Sequence, residues 1–285
     1  MQTKPNDEPL VTKRCQPSLG TYVEIAIVHP ASMLHSEDVI DQAFAQIQRV
    51  NQLMSFHDCD SDLSRINQYA HQQVVEVHEW TYQVLLTAQS LYKDTNGSFD
   101  CSIAHHLQAW GLLPEMDQAI VHEQATLSDL ELIAGNKVRF QRPMRIDLGG
   151  IAKGFAVDRA IDTLEGLGIS KAWVNAGGDI RILGDQAESI LIRDPQNPQI
   201  LRELGHLMNG AIASSAPYMS KEMSKNQNNS ALVNPSTGMS IKDPKSYSVI
   251  APTCVIADGL TKALAVDLNL TAPYFEKYQA IPIVL

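Results

Sequence analysis

The stretch IDLGGIAKGFAVDRAI, residues 146–161, places Asp147, the glycine pair Gly149–Gly150 and Lys153 at the opening of a helix-like pattern. Glycine lets backbone N–H groups approach a ligand with no Cβ in the way. A helix N-terminus adds unpaired N–H groups and the positive end of a dipole. With the Lys153 ammonium, such a group suits a phosphate or diphosphate, although the spacing matches neither G-x-G-x-x-G nor G-x-x-x-x-G-K-[ST]. A second pair, Gly177–Gly178, follows in VNAGGDIRILG between Asn175 and Asp179. Either pair alone reads as a tight turn. Together, beside three polar side chains, they support an anion site as well as two turns.

The elements around these glycines are those of an α+β chain. GTYVEIAIV at 20–28 alternates as a strand. Residues 36–54 carry Val39, Ile40, Ala43, Ile47, Val50, Leu53 and Met54 at helical spacing, with Ser36 available as N-cap. FHDCDSDLSRIN reads as an acidic turn, and a helix over 78–93 closes at Asn96–Gly97. SFDCSIAHHLQAWGLL leads into a further helical stretch, and KVRFQRPMRIDL supplies short strands. The helix over 151–167 ends at Gly168, suited to the C′ position. KAWVNAGGDIRILG reads as strand, turn and strand; SILIRDP, AIASSA and SYSVIAP read as strands, and VIADGLTKALAV as a buried helix. Residues 218–230, YMSKEMSKNQNNS, read as a mobile loop. Residues 1–17 read as a polar tail and 18–285 as one domain without an internal linker.

Composition narrows the partners. With 22 basic against 32 acidic residues, a net charge of −10, the chain lacks the clustered Lys and Arg that nonspecific nucleic-acid binding needs. No apolar run approaches the roughly 20 residues of a membrane span. The N-terminus has no apolar signal segment, so the expected compartment is the cytoplasm, or the periplasm if an export signal has been trimmed away. Four scattered cysteines make neither a zinc framework nor a disulfide set. The neighbours His105 and His106 should diverge by about 100° on a helix, so a partly exposed helix face is the expectation there rather than ligation.

Seven ordered segments resemble the signatures of the ApbE family, the FAD:protein FMN transferases. DLGGIAKGFAVDRA and VNAGGDIRILG are the most specific. SLGTYVEI is similar to an M-G-T turn with Leu19 in place of methionine, followed by Gly20 and Thr21. MSFHDCDSDLSRIN, then GSFDCSIAHHLQAWGL through Phe99, Asp100, Ser102 and Trp110, come next. LVNPSTG and VIAPTCVIADGLTKAL close the series, which spans residues 18–268. The resemblance implies mixed sheets with packed helices and a flavin site between two intimate subdomains. It implies binding of FAD, cleavage of its diphosphate with help from Mg²⁺, transfer of FMN to a Thr or Ser hydroxyl of an acceptor protein, and release of AMP. Carried over by position, the FAD site comprises Leu19, Gly20, Thr21, Ser98, Phe99, Asp100, Trp110, Asp147, Gly149, Gly150, Lys153, Asn175, Gly177, Gly178, Asp179, Ser214, Ser215 and Thr237. Asp258, Lys153 and Thr237 would carry the chemistry, and Asp258 with the backbone of Ala152 would hold the metal.

The same resemblance marks departures. In the closing H-[IV]-[IV]-D-P-x-T-G pattern, Ala231 replaces the histidine and Asn234 the aspartate, so the usual base, worth roughly 10²–10⁴ in rate, is missing. His57 or the 218–230 loop would have to serve instead. Lys262 stands four residues after Asp258, where the family carries an oxygen donor. Residues i and i+4 share a helix face, so the ammonium is expected to lean towards Asp258, displacing the cation or else swinging out to solvent. ASSAPY brings Ala216 and Pro217 where a serine–glycine pair is usual, and Pro217 removes one amide donor. Three expectations follow: a transferase with a drifted catalytic set, an FAD-binding protein that does not cleave its ligand, or hydrolysis of FAD to FMN and AMP.

Overall fold

A computed structural model describes residues 9–116, 121–195, 197, 199–217 and 229–285. In chain order its elements are β1 (Pro9–Ser18), β2 (Thr21–Pro30), α1 (Ser36–Met54), α2 (Asp62–Tyr69), β3 (Val75–Glu76), α3 (Glu79–Asp94), α4 (Ala104–Ala109), β4 (Leu130–Ile133), β5 (Lys137–Phe140), α5 (Ala152–Gly166), β6 (Lys171–Ala176), β7 (Asp179–Leu183), β8 (Glu188–Arg193), β9 (Leu201–Leu207), β10 (Ala211–Ser215), β11 (Val233–Asn234), β12 (Met239–Ser240), β13 (Tyr247–Ala251), α6 (Cys254–Val266), α7 (Pro273–Lys277) and β14 (Ile281–Val284). Among the described residues no helix is long and apolar enough to cross a membrane.

Seven strands form one sheet in the order β1-β2-β6-β7-β10-β13-β14, every neighbouring pair antiparallel. The alternation of β6 buries Ala172, Val174 and Ala176 on one face. Helices α5 and α6 cover that face, and α1 packs on α5. All eight apolar positions of the α1 stripe are buried, which is what fixes its roll. The β8–β9 hairpin lies on the opposite face over a smaller cluster of Ile182, Ile190, Ile192 and Ile212. The small β3-β5-β4 sheet feeds Val75, Val138 and Phe140 into the main core. α+β is therefore the observed class.

Local corrections are physical. Residues 9–18 are not a tail but β1, paired with β2 along its whole length. Its half-buried face is Thr12, Arg14, Gln16 and Ser18, so no apolar period betrays it. Lys13 pairs with Glu24 at 2.6 Å and Arg14 with Asp41, charges that suit an edge strand. The hairpin turns at Leu19 and Gly20, both with positive φ (55° and 71°), the geometry two-residue hairpins favour. FHDCDSDLSRIN is only half turn: Ser61 caps α2 by accepting from the Ser64 N–H at 3.0 Å. Ser36 does not cap α1; His35 holds that position without a side-chain bond. β9 and β14 went unforeseen. At the end of α5, Gly168 (φ 84°) donates to Glu165 and Ile169 to Leu164, a Schellman closure. The expected loop at 218–230 lies, for residues 218–228, outside the described residues.

Candidate active site

Helix α5 carries three of the residues that matter, and a close helix crossing brings the fourth. A Cβ at Gly154 would lie 2.6 Å from the Cys254 carbonyl carbon and 2.8 Å from the Asp258 Cβ, so only glycine lets α5 and α6 touch here. The bare Gly154 N–H then donates to Asp258 Oδ2 at 3.0 Å. Asp158, one turn on, accepts from the N–H groups of Cys254 and Val255 at 2.8 Å and from Arg181 at 2.6 Å. It thereby ties the start of α6 to α5 and β7.

This crossing presents four charges in a row. Lys153 Nζ lies 2.6 Å from Asp179 and 3.5 Å from Asp258, and Lys262 Nζ bonds the other Asp258 oxygen. Asp258 is fully buried. Burial alone would raise its pKa, but Lys153, Lys262 and the Gly154 amide outweigh that and hold the carboxyl below its ordinary value. Asp179 goes the other way: burial and the neighbouring Asp258 charge raise it despite Lys153. Lys153 is half-buried, and the two carboxylates raise it well above its usual range. Lys153 is thus a fixed cation.

Two hollows meet at Lys153 of this row. The first, about 260 Å³, is walled by Ser98, Phe99 and Asp100, by Gly149, Gly150 and Lys153, by Gly177 and Asp179, by Ser214 and Ser215, and by Lys262. The second, about 370 Å³, is walled by Leu19 and Gly20, by Val50, Asn51 and Met54 at the end of α1, by Ser55, Phe56 and His57 just after it, and by Ala152. Leu107, Asp147, Gly149, Lys153 and Ala231 belong to both. A long ligand with a charged middle would fit such a double hollow.

The comparisons decide the family. A family model described as "ApbE family" matches residues 19–277. The chain belongs to the ApbE family. A Vibrio cholerae protein named FAD:protein FMN transferase is 29% identical, the match covering 88% of this chain and 79% of that one. A Treponema pallidum protein of the same name is 24% identical over 88% and 77%. Among solved structures, an ApbE protein from Thermotoga maritima superposes with a TM-score of 0.83 at 25% identity, covering 96% and 94%. A histidine-to-glycine mutant of the Vibrio cholerae flavin transferase ApbE gives 0.81 at 26% identity, covering 96% and 93%.

Within this ApbE-family chain several expected residues stand elsewhere than the hollows. Trp110 stacks on His106, ring centroids 6.1 Å apart. Asn175 accepts the Gly178 N–H at 2.9 Å and so builds the glycine turn. Thr21 packs against Gly177, whose added Cβ would sit 2.5 Å from the Thr21 hydroxyl. Thr237 is exposed, its hydroxyl taken by the Met239 N–H at 3.3 Å. Ser214 and Ser215 line the first hollow, but their hydroxyls pair with Ser248 (2.7 Å) and Thr261 (2.8 Å). His105 and His106 do not diverge: their ring centroids are 3.9 Å apart, because side chains of this length swing together even when their Cβ vectors part. Burial lowers both imidazoles. The stretch from Asn51 to Phe56 is a wall that sequence reasoning missed, since apolar residues at helical spacing read as core.

The amides at the start of α5 are also less free than the glycines suggest. Gly149 N–H donates to Asp147 Oδ2 at 3.1 Å, and those of Ile151 and Ala152 to the Leu148 carbonyl at 3.0 and 2.8 Å. The Gly150 Cα instead makes room for the Lys262 stem, 3.4 Å from where its Cβ would be. Positive charge in the first hollow therefore comes chiefly from two ammonium groups. Nor does the donor set suit the Mg²⁺ that the family resemblance implies. Magnesium wants oxygen ligands in a near-octahedral shell, and both Asp258 oxygens already accept from N–H donors.

Asp100 separates the first hollow from a third, about 330 Å³, that also holds His105 and His106. Burial raises its pKa to about 6, against the Ser102 N–H that donates to it at 2.8 Å. A folded-state value above the ordinary 3.8 means the folded state holds its proton longer, so this group's contribution falls as pH rises from about 4 to about 6. Asp100→Asn keeps the acceptor for Ser102. It is expected to raise stability at about pH 7 by on the order of 2 kcal/mol, with little effect below about pH 4. Urea denaturation at the two pH values measures this; an unchanged midpoint at neutral pH would contradict it.

Proposed function

We propose that this chain binds FAD across the double hollow, its diphosphate against Lys153 and Lys262, and passes FMN to a Ser or Thr hydroxyl of an acceptor protein. The acceptor oxygen forms a bond to the flavin-side phosphorus, the bond to the AMP moiety breaks, and the hydroxyl proton goes to a base while AMP leaves. The observation that carries the reading is the row of two buried carboxylates and two ammonium groups at the first hollow, whose Lys153 also lines the second. It lies in a chain whose relatives bear the name FAD:protein FMN transferase. His57, on the second hollow, is the candidate base.

A second reading, binding without cleavage, has its own support. The methyl of Ala231 lines both hollows and accepts no proton. The Asn234 amide oxygen is engaged by the N–H groups of Ser236 and Thr237 at 3.1 and 3.3 Å. Incubation with FAD, Mg²⁺ and a flavin-acceptor domain separates the outcomes. Transfer gives AMP and a covalently flavinylated acceptor, whereas intact bound FAD favours the second reading. Free FMN with AMP would replace both with hydrolysis. Absence of any FAD binding by calorimetry would remove the proposal altogether.

A further inference from the structure

We infer that Lys262 is a built-in counter-ion, so that this protein holds the diphosphate of its flavin nucleotide without a divalent cation. The inference rests on the FAD-binding reading above and goes beyond it. Three observations carry it. Asp258 has no surface on the hollow, whereas Lys262 stands in the wall in front of it. Both Asp258 oxygens are taken, one by Lys262 and the other by Lys153 and the Gly154 N–H. A cation approaching Asp258 from the hollow would meet the Lys262 ammonium before it met that carboxylate.

Thr261 does not restore a ligand. It is fully buried, its hydroxyl donates to the Asp258 carbonyl at 2.7 Å, and it shares a 2.8 Å bond with Ser215. Among the described residues, the one grouping of three potential ligand side chains is Asp58, Cys59 and Asp60, none of which lines the first or second hollow. The Lys262 stem lies over Gly150, and its Asp258 partner is held by the α5–α6 crossing, so the ammonium is placed rather than free to wander. A held ammonium gives charge without the directional oxygen shell that magnesium demands.

Two measurements test this on the full chain. Manganese alone, titrated into flavin-free protein and followed by electron paramagnetic resonance, is expected to find no site that Asp258→Asn removes. Finding such a site would overturn the inference. FAD titrated by calorimetry in EDTA and in saturating Mg²⁺ is expected to give affinities within about twofold of each other, and a gain above about tenfold with Mg²⁺ would overturn it. Lys262→Met, which keeps the stem, should weaken FAD binding at least about tenfold, whereas Lys262→Arg should stay within about threefold. Equal binding by the Met variant counts against the role. Should Lys262→Met not fold, the wild-type titrations decide alone. Should FAD give no heat at all, the functional reading fails, and the manganese titration still judges whether Lys262 has closed the metal position.

Discussion

Lys153→Met is expected to weaken FAD binding by about a hundredfold or more, corresponding to roughly 3 kcal/mol. In the intact row two ammonium groups face two carboxylates, so the row itself sets no excess of negative charge against an arriving diphosphate. Without Lys153, Asp179 and Asp258 share only Lys262, and the wall turns negative where the anion should sit. Side-chain exposure of 29% at Lys153 against 3% at Asp179 means the carboxylate cannot turn to water when its partner goes. Asp179, already raised by burial and by Asp258, would rise further. Its folded-state pKa then lies further above 3.8, so the proton is taken up below that raised value. The variant should therefore regain both stability and FAD affinity as pH falls, and lose them as pH rises through that window. Calorimetry over a pH series checks both halves. An affinity within about threefold of wild type at neutral pH would show that the charge row does not face the ligand.

Much of this wall was legible as residues and little of it as a wall. Lys153 beside a glycine pair, and Lys262 one helical turn from Asp258, follow from spacing alone, because i and i+4 share a face whatever surrounds the helix. The roles of the individual glycines did not. A glycine that seats a ligand, one that admits a lysine stem (Gly150) and one that admits a whole helix (Gly154) read alike in sequence. They differ only in what a Cβ would strike. The same limit explains Asn175, a polar residue beside a turn that proves to be part of the turn. It explains Trp110, whose ring stacks on His106 and lines neither the first nor the second hollow. β1 was lost because period-2 patterning needs an apolar face, and its half-buried face is polar. The wall at Asn51 to Phe56 was lost for the opposite reason, since a stripe that packs a core and a stripe that ends in a hollow have one pattern.

Gly154→Ala is the substitution expected to cost the fold most. Helix propensity alone favours the change by about 1 kcal/mol. Against it, the new methyl would press on the Cys254 carbonyl, a backbone group already fixed by the Asp158 carboxylate binding the Cys254 and Val255 amides. Backbone cannot rotate away as a side-chain tip can, so α5 and α6 must part. Separation lengthens the Gly154 bond to Asp258 and loosens the packing of two helices on the sheet. Overpacking of this kind costs about 1–3 kcal/mol before the weakened bond to a buried carboxylate is added, so the net loss should be about 3 kcal/mol. Gly166→Ala, in the last turn of the same helix, provides the contrast: its Cβ would meet nothing within 4 Å, and it should be neutral or stabilising by up to about 1 kcal/mol. Urea denaturation of the pair measures the difference. If Gly154→Ala proved as harmless as Gly166→Ala, the close crossing that seats Asp258 would not exist in solution. The charge row built on it would then have no fixed geometry.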